Sequence, residues 1–313
     1  MVIFLGRFYY KDMTILLLSA YNTASHKHWC NILVSNIKDV NWTFLTLPPR
    51  KFAWRIRGNA LSWYGESKEV LRKHYDVVLA TSMVDLSTLI GLFPHLGKAK
   101  KILYFHENQF EYPLSEKQIH GNVEGMMVNL YGGLAADLVL FNSEYNRRTF
   151  VQGAKNLLKR LNDHSPIAVV DDVVRKSQLL PVPVGNKIYI QNDKIKNSIL
   201  WTHRWEYDKN PDDLYKSLLI LRDRGVDFKL IIMGLQYKDY PTAFDKGAIP
   251  IVPNRLSYPE WFPKKFLYNS SPEDMANLIE DVFSSQTTSP DITYLTWDKL
   301  ETRYRDVLGL AKL

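Results

Sequence analysis

The sequence predicts an α/β protein built from two doubly wound parallel-sheet domains in tandem, with the second incomplete. Three observations carry that expectation. Short apolar runs alternate with longer amphipathic stretches, a βαβα rhythm that puts helices on both faces of a parallel sheet. The rhythm breaks at Pro181-Val182-Pro183 and the Lys/Asn-rich stretch 185–197, then starts again. Finally, only 13 residues, Leu235–Gly247, separate the last long strand candidate from the next. A helical crossover needs roughly 10–12 residues, and YKDYPTAFDK has no apolar helical face and carries Pro241 in its middle.

Element by element, strands are expected at Thr14–Ser19, Trp42–Leu47, Asp76–Thr81, Lys101–Phe105 and Asp137–Phe141. Helices are expected at His26–Asn36, Asp85–Phe93, Val123–Ala135 and Ser143–Arg160. After the break come a strand at Ile199–Thr202, a helix over Asp212–Arg224, and strands at Phe228–Gly234 and Ala248–Val252. The domains are thus 1–183 and 184–313, the latter ending in helices. Each first-half strand runs into polar residues: Tyr21-Asn22, Thr81-Ser82, His106-Glu107-Asn108 and Asn142-Ser143. Open α/β sheets bind ligands beyond the carboxyl ends of their strands, so these loops are where a site is sought.

The totals exclude several classes. A chain of 313 residues, 46% hydrophobic and 23% charged, has the composition of a soluble globular protein. No run approaches the roughly 18 apolar residues that span a bilayer. MVIFLGRFYYKDM has no basic start followed by a sustained apolar core, as a signal peptide would. Cys30 is the only cysteine, which excludes an internal disulfide and fits a reducing compartment, so a cytoplasmic location is expected. Lys+Arg outnumber Asp+Glu by 40 to 33, a net charge of +7 that favours polyanionic or phosphorylated partners.

The sequence contains no G-x-G and no G-x-S-x-G, so a dinucleotide fingerprint, a P-loop and a nucleophile elbow are all absent. His26 and His28 fall on different faces of a helix, and no metal site is expected. WTHRWEYDKNP, residues 201–211, leaves an apolar strand and at once presents five ionisable side chains in seven positions. Arg204 and Lys209 there can grip a diphosphate, helped by the dipole of the helix after Pro211; a surface loop of ion pairs is the competing reading. His106 in YFHENQFEYP can donate to a sugar hydroxyl or move a proton, with Glu107 and Asn108 orienting it; the alternative is a structural histidine. PPRKFAWRIRGNALSWY, residues 48–64, interleaves Arg50, Lys51, Arg55 and Arg57 with Phe52, Trp54, Trp63 and Tyr64. That mixture suits single-stranded nucleic acid; otherwise it is a long loop packing its aromatics under a rim of charge. Arg147, Arg148, Lys155, Lys159 and Arg160 either extend this surface or form a solvated helix face.

SAYNTASHKHW (19–29), residues 46–63, ATSMVDL (80–86), YFHENQFEYPL (104–114), residues 128–150, HRWEYDKNP (203–211) and GAIPIVPNRLSYPEWFP (247–263) together resemble one family. It is the tRNA-queuosine α-mannosyltransferases, retaining glycosyltransferases with a GT-B-like fold of two Rossmann-like domains facing across a cleft. The likeness covers nearly the whole chain. It implies mannose transfer from GDP-mannose to a cyclopentene hydroxyl of queuosine in a tRNA anticodon loop, with no metal or other cofactor. It implies an N-terminal acceptor (tRNA) domain and a C-terminal nucleotide-sugar domain. Arg204 and Lys209 match the pair that holds the donor diphosphate, His106 the histidine at the donor sugar, and Ser25 and His26 the loop near the donor phosphates. Arg50, Lys51, Trp54, Arg55 and Arg57 become tRNA candidates.

One feature departs from the family. The retaining enzymes carry a Glu-x7-Glu block just before GAIPIVP, whereas here DYPTAFDK runs straight into it. The pair Glu116 and Glu124 has that spacing but lies in the first domain and is coincidental. A chain without the block is expected to show little or no activity, an incomplete second sheet, and uncovered apolar faces near Gly234 and Ile249. The competing functions are a non-catalytic tRNA-binding protein and a glycosyltransferase acting on a lipid or small acceptor, for which no membrane-facing amphipathic surface is found.

Overall fold

TILLLS, residues Thr14–Ser19, forms the first strand (β1), buried along all but its first residue. A strand so uniformly apolar needs cover on both faces, which a parallel sheet flanked by helices provides. The computed structural model describes residues 13–111, 123–161, 163–186, 195–202, 209–232, 248–285 and 287–310. β1 pairs in parallel with β2 (Asn41–Thr46) on one side and β3 (Val77–Thr81) on the other. β4 (Lys100–Phe105), β5 (Leu138–Phe141) and β6 (Ser177–Leu179) complete a six-stranded parallel sheet of order β2-β1-β3-β4-β5-β6. Chain direction across the sheet reverses between β1 and β3, the switch point beside which open α/β sheets place ligands.

The helices of this sheet are α1 (Ala24–Asn36), α2 (Phe52–Glu66), α3 (Lys68–Leu71), α4 (Leu86–Leu92), α5 (Val123–Ala135), α6 (Glu144–Leu161) and α7 (Val169–Arg175). They cover Leu16, Leu18, Val78, Leu103, Phe105 and Phe141, all fully buried or nearly so. Phe105 stacks on Phe141 at 4.8 Å, and Phe150 of α6 meets both rings. Asp85 caps α4 by accepting from the Thr88 N–H at 3.2 Å.

Residues 48–64 are corrected here: they are no long loop. From Phe52 onward they form α2, which buries Ile56, Asn59, Ala60 and Trp63 on one face. Asn59 is satisfied there, donating to the Met83 carbonyl and accepting the Asp85 N–H, both at 3.1 Å. The chain enters α2 through Lys51, whose backbone is left-handed at φ 56°.

The chain divides into two compact units at Leu180/Pro181, with Ser143–Tyr145 grouped with the second. In the second unit, β7 (Ser198–Trp201) and β8 (Lys229–Ile232) pair in parallel around α8 (Pro211–Asp223). β9 (Val252–Pro253) pairs with β10 (Leu267–Tyr268), with α9 (Tyr258–Trp261) between them. α10 (Pro272–Ser284) packs on α8, where Ser217 donates to the Pro272 carbonyl at 2.9 Å. Leu214, Leu221, Met275, Ala276 and Ile279 form its core. α11 (Trp297–Leu308) returns to the domain junction, its Tyr304 hydroxyl donating to the Pro181 carbonyl at 2.8 Å.

Among the described residues this unit has two sheets of two strands each, so it is smaller than the first, as the short spacing implies. The strand expected at Ala248–Val252 shrinks to Val252–Pro253, because only those residues find partners, on β10. Gly234 lies outside the described residues and Ile249 is half-buried. Exposed apolar side chains of this unit include Leu200 (41%) and, two residues before Gly234, Ile232 (50%).

The two faces of α2 differ in what they contribute to stability. Trp63→Ala is expected to cost about 3–5 kcal/mol in denaturant unfolding, because a fully buried indole leaves a cavity. Trp54→Ala, on the outer face, is expected to stay within about 0.5 kcal/mol.

Candidate active site

The polar residues at the ends of β1, β3 and β4 form one connected scaffold. Beyond β3, the Ser82 hydroxyl donates to the Glu107 carbonyl at 3.0 Å, drawing the β3 and β4 loops together. Asn129 of α5 bridges them again: its amide donates to the Ser82 carbonyl, and its oxygen accepts the Gln109 N–H, both at 2.8 Å. Asn108 donates to Asn146 Oδ1 at 2.8 Å and to Thr149 Oγ1 at 3.0 Å, anchoring the loop to α6. Asn142 donates to the His106 carbonyl at 2.7 Å, and Asn146 to the Phe105 carbonyl at 3.0 Å. Buried amides that saturate loop backbone in this way give the loop one conformation.

Within the scaffold, two histidines lie face to face. His26, in the first turn of α1, is buried; its ring stacks on His106 with centroids 4.2 Å apart. The edge of Trp29 and the tilted ring of Tyr104 also lie against His106, at 5.0 and 4.7 Å, and the residue stays half-buried. His26 Nδ1 lies 2.8 Å from the Tyr21 carbonyl, and Nε2 lies 3.2 Å from Glu107 Oε2. A carbonyl and a carboxylate accept, so these two contacts favour the imidazolium form, in which both ring nitrogens donate. Burial alone would push its pKa down, but the Glu107 charge and hydrogen bond, with the Tyr21 carbonyl, outweigh it and leave the value raised. For His106 the balance is opposite. Burial first, and then the neighbouring His26 charge, hold it well below the ordinary imidazole value. Its Nε2 is shut off from solvent and has no hydrogen-bond partner among the described residues. The two rings are thus pushed in opposite directions, His26 toward the charged form and His106 toward the neutral one.

Comparison with known proteins adds a family. Residues 14–184 match the family described as tRNA-queuosine alpha-mannosyltransferase N-terminal. A tRNA-queuosine alpha-mannosyltransferase of Drosophila melanogaster is 30% identical over 319 residues, covering 82% of this chain and 84% of the fly protein. The chain belongs to the tRNA-queuosine alpha-mannosyltransferase family. The aligned stretch of 319 residues exceeds the whole chain of 313, so the fly mannosyltransferase has residues with no counterpart here. Among solved structures, a sucrose-phosphate synthase from Thermosynechococcus elongatus has a TM-score of 0.59 at 9% identity, covering 95% of this chain and 99% of that one. A UDP-N-acetylglucosamine 2-epimerase has a TM-score of 0.50 at 10% identity, covering 96% and 97%. At such identity the likeness is one of fold: two Rossmann-like α/β domains of the GT-B kind.

The residues singled out from the sequence fall in different places. His106 and His26 meet as described. Ser25 is exposed in the first turn of α1, its hydroxyl 3.1 Å from that of Thr23. No side chain caps α1 and no acidic residue stands in its first turn, so its N–H groups keep their positive field. Arg204, with the rest of 203–208, lies outside the described residues; Lys209 is half-buried just before α8. The first turn of α8 contains Asp212 and Asp213, and Asn210 donates to Asp213. These carboxylates already occupy the helix's positive end, which weakens the expectation that its dipole serves a diphosphate. Of the tRNA candidates, Arg50 and Lys51 are exposed, Trp54 is 52% exposed, and Arg55 donates to the Pro48 carbonyl at 3.3 Å. Arg57 is tied to Asp85 and to Thr88. Lys155 pairs with Asp171 at 2.7 Å, on a solvated helix face.

Among the described residues no cluster of three His, Cys, Asp or Glu forms a metal set. His28 is exposed, and Cys30 is a core residue whose thiol is pushed up to about 12 by burial. Ser82 and Asn142 fall among the strand-end residues expected to border a site, whereas Asn129 and Asn146 were missed. Their signal was an amide on a helix, VNLYGG and EYNRRTF, at a position the helix buries, where a polar side chain needs a partner.

Replacing Glu107 with Gln should lower the His26 titration, followed by imidazole NMR, since the Glu107 charge is lost while the lowering effect of burial remains. The stability this raised pKa contributes is fully present below about pH 6.5 and lost as pH rises through the folded value. The variant should therefore lose most stability on the acidic side of that window.

Proposed function

We propose that this chain is a retaining mannosyltransferase by descent, directed at queuosine in a tRNA anticodon loop with GDP-mannose as donor, and that its chemical step is slow. What supports the reading is the neutral His106 at the end of β4, beside the switch point, in a chain of the tRNA-queuosine alpha-mannosyltransferase family. A neutral imidazole can exchange a hydrogen bond with a sugar hydroxyl without presenting a charge to the oxocarbenium-like centre of a glycosyl transfer. The uncapped amino end of α1, with Ser25, offers N–H and O–H donors to a phosphate. Arg204 and Lys209 are assigned the diphosphate, where two cations offset charge on the departing nucleotide without a metal. Phosphates of the tRNA are assigned to the acid-free basic stretch 48–64.

The slow step follows from DYPTAFDK running straight into GAIPIVPN. The family's Glu-x7-Glu block would supply a carboxylate at the donor sugar and a grip on the ribose, and nothing in this chain replaces it at that point. The same observation favours a second reading, a tRNA-binding protein without catalysis, and one pair of measurements separates the two. Filter binding with tRNA should succeed, and turnover of labelled GDP-mannose should be detectable but slow. Grafting the fly relative's residues ahead of Gly247 should raise it on the order of a hundredfold, the ordinary contribution of a placed acid or base. In the grafted chain Arg204→Ala should abolish turnover and leave tRNA binding intact. Binding with no turnover even after the graft favours the non-catalytic reading, and equal loss of binding and turnover in Arg204→Ala counts against the diphosphate role.

A further inference from the structure

Trp54 occupies an odd place. It stands in the first turn of α2 on the side opposite Ile56, Asn59, Ala60 and Trp63, and it is 52% exposed. A free surface indole would sample several rotamers, but this one is seated. A Cβ built on Gly58, one turn later, would lie 2.5, 2.5 and 2.7 Å from Trp54 Cδ2, Cε2 and Cε3. Three contiguous ring atoms at nearly one distance mean that the face of the indole lies on the helix backbone. Only a residue without Cβ leaves room for it. Glycine inside a helix costs about 1 kcal/mol relative to alanine, and here it leaves room for a flat aromatic surface against the helix that is still 52% exposed.

The surroundings of that surface are cationic. No acidic side chain occurs between Asp39 and Glu66. Arg50 and Lys51, at the entry to the helix, are exposed and form no ion pair among the described residues. Arg55 and Arg57 are held by Pro48 and Asp85. Leu61 (58% exposed) and Tyr64 (39%) continue the outward apolar side. A rigid aromatic face beside unpaired cations complements a nucleotide, whose base has a π-face and whose phosphate has a charge. An acidic protein would use the cations but has no need of a flat, pre-seated indole.

We propose that Trp54, seated on Gly58, is a stacking shelf for one unpaired base of the tRNA, with Arg50 and Lys51 taking the flanking phosphates. The proposal rests on the tRNA reading above and deepens it: it makes contact with single-stranded RNA, such as an opened anticodon loop, part of acceptor recognition. The shelf is built before RNA arrives, so little side-chain entropy is lost on binding.

The test uses the full chain, unfractionated tRNA and heparin, a polyanion without bases, each titrated over a range of salt. Trp54→Ala should weaken tRNA binding on the order of ten- to a hundredfold, leave the salt slope unchanged and leave heparin binding unchanged. Trp54→Phe should retain most of the affinity. Gly58→Ala, which pushes the ring off its seat without removing it, should fall between, with an unaltered thermal melt confirming the fold. Arg50→Ala and Lys51→Ala should each lower the salt slope by about one. Wild-type affinity for tRNA in Trp54→Ala overturns the shelf but leaves the tRNA reading standing, as does equal loss of tRNA and heparin. Failure of the wild-type chain to bind tRNA overturns both.

Discussion

A buried histidine held between two acceptors organises the first domain. His26 follows β1 and Glu107 follows β4, so their bond ties together loops from strands that flank β3. Since the Tyr21 carbonyl takes the other nitrogen, the ring cannot rotate, and the turn between β1 and α1 is set with it. The charge this favours, stacked against His106, is one of the reasons that residue is pushed toward the neutral form. A single bond thus sets the geometry of two loops and the protonation of the ring beside them.

Around that clamp the domain uses amides where a core would ordinarily use hydrocarbon. Asn108, Asn129 and Asn146 are buried, and they bond to backbone, to one another or, from Asn108, to the Thr149 hydroxyl. Uncharged groups cost less to bury than ions and have fixed directions, so they hold a polar loop at a strand end without adding net charge. The second domain relies more on helix packing and surface ion pairs, such as the Arg224 fork to Glu273 and Glu280 between α8 and α10. That difference is consistent with positioning chemistry in the first domain and with a smaller sheet in the second.

How much of this was legible depended on whether the signal was local. Strands such as VVLAT and LVLF announce themselves by their apolar runs, and their borders moved by only a residue or so. No helix is expected at α2, because its outward face is as apolar as its inward one, while the inward face includes Asn59; neither face shows helical contrast. β6 was missed because SQL, a three-residue edge strand, has no apolar run to detect. In the site, His106 and Glu107 stood out as polar residues directly after a strand. The His26–Glu107 bond joins positions 81 apart, and nothing in either neighbourhood encodes it. The seat of Trp54 lies between these extremes: the i, i+4 spacing is written in the sequence, but it signifies only once the segment is known to be a helix.

Cys30, sealed in the core under α1 with its thiol held protonated far above neutrality, is the chain's only sulfhydryl. Maleimides and other thiol reagents act on the thiolate, so the native protein is silent to them. A cysteine introduced on an exposed position of α2 would then be the single reactive handle, and a spin label or fluorophore there would report on that helix alone without any background mutation.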